Sequence, residues 1–307
     1  MFRNHCRKGG WMSVVEIKNL SKSFAKFKAL DDIQLNVKRG EIHGFIGPNG
    51  AGKSTTIRII LGMIKADDGT VTVFGKDAWK DSVSIHQKVA FVPGDAHLWP
   101  NLTGGQVIDM FLSMRNKDIN TKKRDKLIQY FELDPKKKCS TYSKGNLQKV
   151  LIVSALASEA DLYVLDEPTS GLDPLMERKF QDYLLKLKEE GKTILLSSHV
   201  LSEVEKLCDS ISIIRKGTII EHGTLKELRH LTRTNFEVES NVKIESLENI
   251  EGIHQIKYDD GTTTFQVDSE KINQVIQLLA NYELTSLTSA PPKLEDLFLR
   301  YYGDEND

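Results

Sequence analysis

Two groups of residues in this chain have the types and spacing for phosphoryl chemistry. Gly47-Pro48-Asn49-Gly50-Ala51-Gly52-Lys53-Ser54 fits G-x-x-x-x-G-K-[ST], the loop that holds nucleotide phosphates. In such a loop the glycines let successive backbone N–H groups turn inward as an anion nest. Lys53 then reaches the β- and γ-phosphates, and the Ser54 hydroxyl ligates Mg²⁺. The ligand implied is ATP or GTP. The second group is Asp166-Glu167, two adjacent carboxylates at the end of the apolar run Leu162-Tyr163-Val164-Leu165. Neighbouring side chains at a strand end point in different directions, so one carboxylate can hold the Mg²⁺ shell while the other orients the attacking water. Alone, such a pair is most often a helix cap or loop surface; behind a phosphate loop in the same chain it is a strong signal.

These residues need elements to place them. Ile42-His43-Gly44-Phe45-Ile46 reads as a short apolar strand entering the loop, and Thr55-Thr56-Ile57-Arg58-Ile59-Ile60-Leu61 as a helix leaving it, which sets the phosphates at a helix N-terminus. The run before Asp166 reads as a buried parallel strand, and Leu195-Leu196-Ser197-Ser198 as another, ending at His199. A lone histidine is ordinarily structural; here its place after an apolar strand favours a role in the site. The fold class is α/β with a mostly parallel core sheet, and an alternating strand pattern begins at Val14-Val15-Glu16-Ile17. Residues 95–160 carry apolar residues at helical spacing, as in Gly105–Phe111 and Arg124–Phe131, and read as mostly helical. From about Asn235 a small α+β domain follows. Phe236–Glu239 and Ile253–Val267 alternate like strands, Asp259-Asp260-Gly261 supplies a hairpin turn, Ile272–Leu279 is helical, and Pro291-Pro292 introduces a last helix with Leu294, Leu297, Phe298 and Tyr301 on one face.

With 39% hydrophobic and 28% charged residues, 307 residues can bury one large core and a smaller one. A net charge of -1, from 42 basic and 43 acidic residues, creates no field for nucleic acid, and no nucleic-acid partner is expected. Three scattered cysteines without a CxxC fit a reducing compartment. No stretch approaches the roughly 18 apolar residues that span a bilayer. Residues 1–11 read as an extension, and Met12 is a candidate natural start.

The order of the phosphate loop, Tyr142-Ser143-Lys144-Gly145-Asn146-Leu147-Gln148-Lys149-Val150, then Val164–Asp173 and Ser197-Ser198-His199 resembles the nucleotide-binding subunits of ABC transporters over about residues 13–227. The resemblance implies a P-loop NTPase with an antiparallel β lobe and, at about residues 95–160, an inserted helical subdomain, in which ATP is sandwiched between two subunits packed head to tail, the second being another copy or a related ATPase. Carried over position by position, Gly47 through Thr55 bind the nucleotide, and Phe24 stacks on adenine, the other reading of a phenylalanine in a strand being core filler. Ser143, Gly145 and Asn146 act in trans on the γ-phosphate. Glu167 is the base that polarises water, His199 the switch residue at the γ-phosphate, and Asp166, with Ser54, the Mg²⁺ partner. Asp173 falls where the family spans the dimer seam, though it also makes a plain helix-entry turn. The partner implied is an integral membrane permease; the apolar loop cluster Leu98, Trp99 and Pro100 makes 94–103 the expected contact, the alternative being that Trp99 packs on the helical subdomain. The location implied is cytoplasmic, peripheral on the inner face of the cell membrane. The tail from Lys293 to Tyr302 resembles bacterial exporter-type subunits, so export is expected.

Two positions depart from the family pattern. Lys144 stands where the signature has its first glycine, either adding positive charge near the triphosphate or facing solvent. Gly94, after Pro93, stands where the family places a glutamine; glycine cannot ligate Mg²⁺, and Asp95 is the available substitute. A GTPase would need Asn-Lys-x-Asp, which Asn116-Lys117-Asp118-Ile119 misses by one residue. A chromosome-organising ATPase would insert a long coiled coil between the half-motifs, and a ribosome-acting ABC protein would carry two ATPase copies. The remaining alternative is a single-copy ABC ATPase with a regulatory, non-transport role.

Overall fold

The computed structural model describes residues 13–115, 120–230 and 233–290. Strands β1 (Ser13–Phe24) and β2 (Phe27–Lys38) form a long hairpin. After it, β3 (Ile42–Ile46) runs into the phosphate loop and helix α1 (Lys53–Ile60). Strands β4 (Asp68–Val73) and β5 (Lys76–Asp77) return to the first sheet and give it the antiparallel order β2-β1-β4-β5. A short α2 (Ser82–His86) and β6 (Val89–Val92) lead to the helical part, α3 (Gly104–Arg115), α4 (Thr121–Tyr130) and α5 (Lys144–Ala157). The chain then alternates strand and helix: β7 (Leu162–Asp166), α6 (Pro174–Glu189), β8 (Thr193–Ser198), α7 (Leu201–Leu207), β9 (Ser210–Arg215) and β10 (Thr218–Thr224).

The second sheet has the order β10-β9-β3-β8-β7-β6, with β6, β7, β8, β3 and β9 parallel. Strands β3, β7 and β8 are buried along their whole length, as expected of central parallel strands covered on both faces. One apolar cluster joins the two sheets, with Leu20, Leu30 and Leu35 from the antiparallel lobe meeting Phe45, Ile57, Val164 and Leu195. Ala51 of the phosphate loop packs in the same cluster.

The chain divides into two compact units between His222 and Gly223, earlier than the boundary near 227 read from the sequence. The reason is local: Thr224 and Glu227 form a reciprocal capping box, Thr224 N–H donating to Glu227 Oε2 at 2.8 Å and Glu227 N–H to Thr224 Oγ1 at 3.2 Å, which starts α8 (Leu225–His230) at once. The second unit contains β11 (Thr234–Ser240), β12 (Ile253–Asp259), β13 (Thr262–Val267), α9 (Ile272–Leu279) and β14 (Leu284–Ala290), in an antiparallel sheet of order β12-β13-β11-β14. Phe236 and Phe265 stand directly opposite across β11 and β13, their rings stacked 5.5 Å apart, and Val275 and Leu279 of α9 join that core. The hairpin expected at Asp259-Asp260-Gly261 joins β12 and β13. The last helix, expected after Pro291-Pro292, lies outside the described residues.

Candidate active site

The phosphate loop is built by backbone conformation. Gly52 is the N-cap of α1 at φ 114°, a left-handed region that side chains disfavour, and a Cβ there would come within 2.7 Å of the Leu30 side chain. Because Gly52 has no side chain to cap the helix and the first turn carries no acidic residue, the N-terminal N–H groups of α1 are left for an anion. Lys53 is only 5% exposed and folds back over the loop: its Nζ donates to Gly47 O at 2.5 Å and to Pro48 O at 3.2 Å. Ser54 is exposed beside it at the start of the helix.

The register between β7 and β8 assembles the carboxylates. Asp166 pairs with Ser197, whose hydroxyl donates to Asp166 Oδ1 at 2.7 Å in a buried setting. One residue on, Glu167 has φ 48°, uncommon for a side chain of this size, and is held there by its N–H donating to Ser197 O at 3.0 Å. That turn aims its carboxylate at two cations or donors. Glu167 Oε2 lies 2.5 Å from His199 Nδ1, and Glu167 Oε1 lies 3.3 Å from Lys53 Nζ, an ion pair by distance with no hydrogen bond aligned along it. Lys53, Glu167 and His199, separated in sequence, thus meet at the ends of β3, β7 and β8. A strongly basic neighbour, a carboxylate and an imidazole around one point suit activation of water beside a phosphate.

The signature segment stands apart from this cluster. Ser143 caps α5, its Oγ accepting from Asn146 N–H at 3.3 Å. A Cβ at Gly145 would lie 2.3 Å from Gly171 O, so glycine is required for α5 to sit against the loop after Glu167. Lys144 is exposed, its stem lying against Gly171. Among the described residues no hydrogen bond or ion pair joins residues 143–146 to the phosphate loop. Asp173 makes the helix-entry turn, its side chain accepting from Met176 N–H at 3.0 Å to cap α6. Phe24 ends β1 at 45% exposure with Lys22 Nζ 5.4 Å from its ring centroid, so it is not core filler.

The metal assignment of Asp95 gains no support. Asp95 lines a groove between β6 and the helices, and no contact ties it to Ser54 or Asp166 among the described residues. Sequence reasoning also missed three participants. Ser197 orients Asp166. Gln148, fully buried on α5, donates to Pro168 O at 3.0 Å and so ties the signature helix to the carboxylate loop. Glu203 on α7 is 1% exposed and accepts from Ser198 beside His199. Gln148 and Ser197 lie inside the quoted motifs, which do not say what they touch; Glu203 lies outside them, although a glutamate inside the apolar face of Glu203-Val204-Leu207 was a detectable anomaly.

The groove itself is about 640 Å³ and is lined by Phe91, Leu98, Trp99, Phe111, Met114, Arg115 and Leu151, among others. Trp99 is 50% exposed, with its ring 6.1 Å from that of Phe111. Arg115 fixes one wall by donating to Val89 O and Gln87 O, each at 2.8 Å.

Comparison with known proteins agrees with this geometry. Residues 30–170 match the ABC transporter family, and residues 223–302 match the C-terminal domain of DrrA1-3-like ATP-binding proteins. YdbJ of Bacillus subtilis, an uncharacterized ABC transporter ATP-binding protein, is 33% identical over 292 residues, covering 94% of each chain. The bacitracin transport ATP-binding protein BcrA of Bacillus licheniformis is 34% identical over 215 residues, 68% of this chain and 69% of that one. Among solved structures, an ATP-binding subunit of an ABC transporter superposes with a TM-score of 0.66 at 32% identity, covering 71% of this chain and 93% of its own. A dimeric bacterial ABC transporter cassette gives 0.64 at 27% identity, covering 69% and 98%, and that cassette has also been solved after hydrolysis, bound to ADP and Pi. Since the agreement with YdbJ runs through both units, this chain belongs to the ATP-binding proteins of ABC transporters and is an ATPase.

Proposed function

We propose that two copies of this chain, or this chain and a related ATPase, close head to tail around two ATP molecules and drive export through a separate membrane-spanning subunit. The observation that carries the pairing is the separation of two anion sites within one chain. The phosphate loop offers uncapped N–H groups at α1, and Ser143 and the N–H groups at the start of α5 offer a second anion site with no bond to the first. A second chain, turned end to end, supplies the missing half. Glu167 then withdraws a proton from the attacking water, and His199, within hydrogen-bond reach of Glu167, contacts the γ-phosphate and keeps the base oriented. Lys53 leaves the loop carbonyls and Glu167 for the β- and γ-phosphates. Phe24 offers an exposed ring to the adenine base.

Ser54 and Asp166 suit Mg²⁺. Among the described residues no group of three or more His, Cys, Asp or Glu could enclose a metal unaided, which fits an ion held largely by nucleotide phosphates, with the Ser54 hydroxyl and Asp166 completing its shell. When bound, Mg²⁺ neutralises charge developing on the phosphates.

The groove around Trp99 supports the membrane partner. A half-exposed tryptophan beside Phe111 and Met114, between core and helical subdomain, has the anchor chemistry of a docking surface. No described helix is long and apolar enough to cross a membrane, so the proposed site of action, the inner face of the cell membrane, depends on that partner. The role of the relative BcrA in bacitracin transport supports export. Cell fractionation tests the reading: Trp99→Ala should shift the protein from membranes to the soluble fraction, as loss of about 2 kcal/mol at a hot spot would, with an unchanged melting temperature. Membrane recovery equal to wild type would remove the groove from docking. A wild type that never associates with membranes would point to the regulatory alternative.

A further inference from the structure

Glu203 has no part in the chemistry above, yet it is the least expected side chain near it. It lies on α7, 1% exposed, and its Oε2 takes two hydroxyls: Ser198 Oγ at 2.9 Å and Thr169 Oγ1 at 3.5 Å. Ser198 immediately precedes His199, and Thr169 follows Glu167 by two residues. Ser198 Oγ accepts from Val200 N–H at 3.0 Å while its own hydroxyl donates to Glu203. The backbone closes the same turn, with Glu203 N–H donating to Val200 O at 3.2 Å. On the other arm, Ser170 N–H donates to Glu167 O at 3.2 Å and Leu172 N–H to Thr169 O at 3.0 Å, which makes the stretch after Glu167 a compact turn.

We propose that Glu203 is a positioning residue for hydrolysis: its carboxyl clamps the turn that carries His199 to the turn that carries Glu167. The inference rests on the roles given to Glu167 and His199 above.

Three features favour this over a purely structural role. The His199 side chain is 59% exposed, so packing cannot orient it, and hydrogen bonds must. Glu167 holds an unfavourable φ of 48° that its surroundings have to maintain. A carboxyl group at a fully buried position costs the fold more than an apolar side chain of similar size would. Burial, with Glu177 and Glu167 nearby, pushes the Glu203 carboxyl up to about 7, and its Oε1 has no partner, so the group gains little stability from being there.

The test is a double-mutant cycle on the full chain, reading kcat and KM for ATP together with melting temperature. Glu203→Ala should lower kcat roughly tenfold to fiftyfold while KM changes less than threefold. Glu203→Gln, whose amide oxygen still accepts from Ser198 and Thr169, should keep at least a third of wild-type kcat. In a His199→Ala background, Glu203→Ala should add less than a threefold further loss, because the group it positions is gone. Should Glu203→Ala fail to fold, Ser198→Ala removes one arm of the clamp and takes its place in the cycle. Independent, multiplicative losses with an impaired His199→Ala would overturn the proposal alone, as would a Glu203→Ala enzyme of normal kcat. A His199→Ala enzyme of normal kcat would overturn the reading of His199 and the clamp with it.

Discussion

Glu167→Gln separates binding from chemistry most sharply, because the substitution keeps the shape of a side chain that touches both. Glu167 is 2.5 Å from His199 Nδ1 and 3.3 Å from Lys53 Nζ. The amide cannot take a proton from water. General-base catalysis contributes about a hundredfold to ten-thousandfold, and at about 1.36 kcal/mol per decade the barrier should rise by about 3 to 5 kcal/mol. Binding should move the other way. At 3.3 Å and an effective dielectric near 20, the direct attraction between Lys53 and Glu167 is about 5 kcal/mol before desolvation is subtracted, and ATP must compete for that lysine. Removing the carboxylate releases Lys53 to the phosphates, so ATP affinity should be equal or greater. Phosphate release at saturating ATP measures the first effect, and equilibrium binding of labelled ATP the second. A kcat within threefold of wild type would remove Glu167 as the base. A more than tenfold loss of affinity would refute the competition between carboxylate and phosphates.

Three further outcomes follow from particular contacts. Gly145→Ala would drive a Cβ to within 2.3 Å of Gly171 O, so α5 must shift; kcat should fall at least tenfold with ATP affinity of the isolated chain kept, and unchanged turnover would show that the seating of α5 is not needed. Phe24→Ala should raise the Kd for ATP by about fivefold or more, on the scale of about 1–3 kcal/mol for base stacking, with Phe24→Trp restoring it; equal affinity in all three proteins would exclude adenine stacking. Glu203 makes stability pH-dependent. Facing Ser198, Thr169, Glu167 and Glu177 in a buried site, its carboxyl is raised from 4.5 to about 7. The folded state therefore holds that proton longer than the unfolded one, and the stability it contributes is complete below pH 4.5 and lost as pH rises to about 7, a difference on the order of 3 kcal/mol. The melting temperature of wild type relative to Glu203→Gln should fall between pH 5 and pH 8, and a constant difference would refute the raised carboxyl.

How much of this was legible in the sequence depended on distance along the chain. The phosphate loop could be read at once because its work is done by neighbouring residues: the left-handed Gly52, the uncapped start of α1 and Lys53 lie within one turn of each other. The carboxylates were legible because an apolar run of four marks a buried strand, and the residues after it must emerge at the strand end. The helix start at Asp173 was legible as a helix-entry turn, its side chain capping its own backbone. The partnerships were not. Ser197 meets Asp166 across 31 residues, His199 meets Glu167 across 32, and Thr169 meets Glu203 across 34, all through the register of β7 against β8 and the packing of α7. Register is set by burial of both strands in a sheet covered on two faces, a condition of the whole core that no local pattern encodes. The same holds for Asp95, which lies one residue from Gly94 in sequence yet lines the groove, and for Trp99, whose half exposure follows from where the helices leave room. The sequence alone determined which residues could bind phosphate and activate water; tertiary structure decided which of them touch, because those contacts arise from strand register and helix packing across the core.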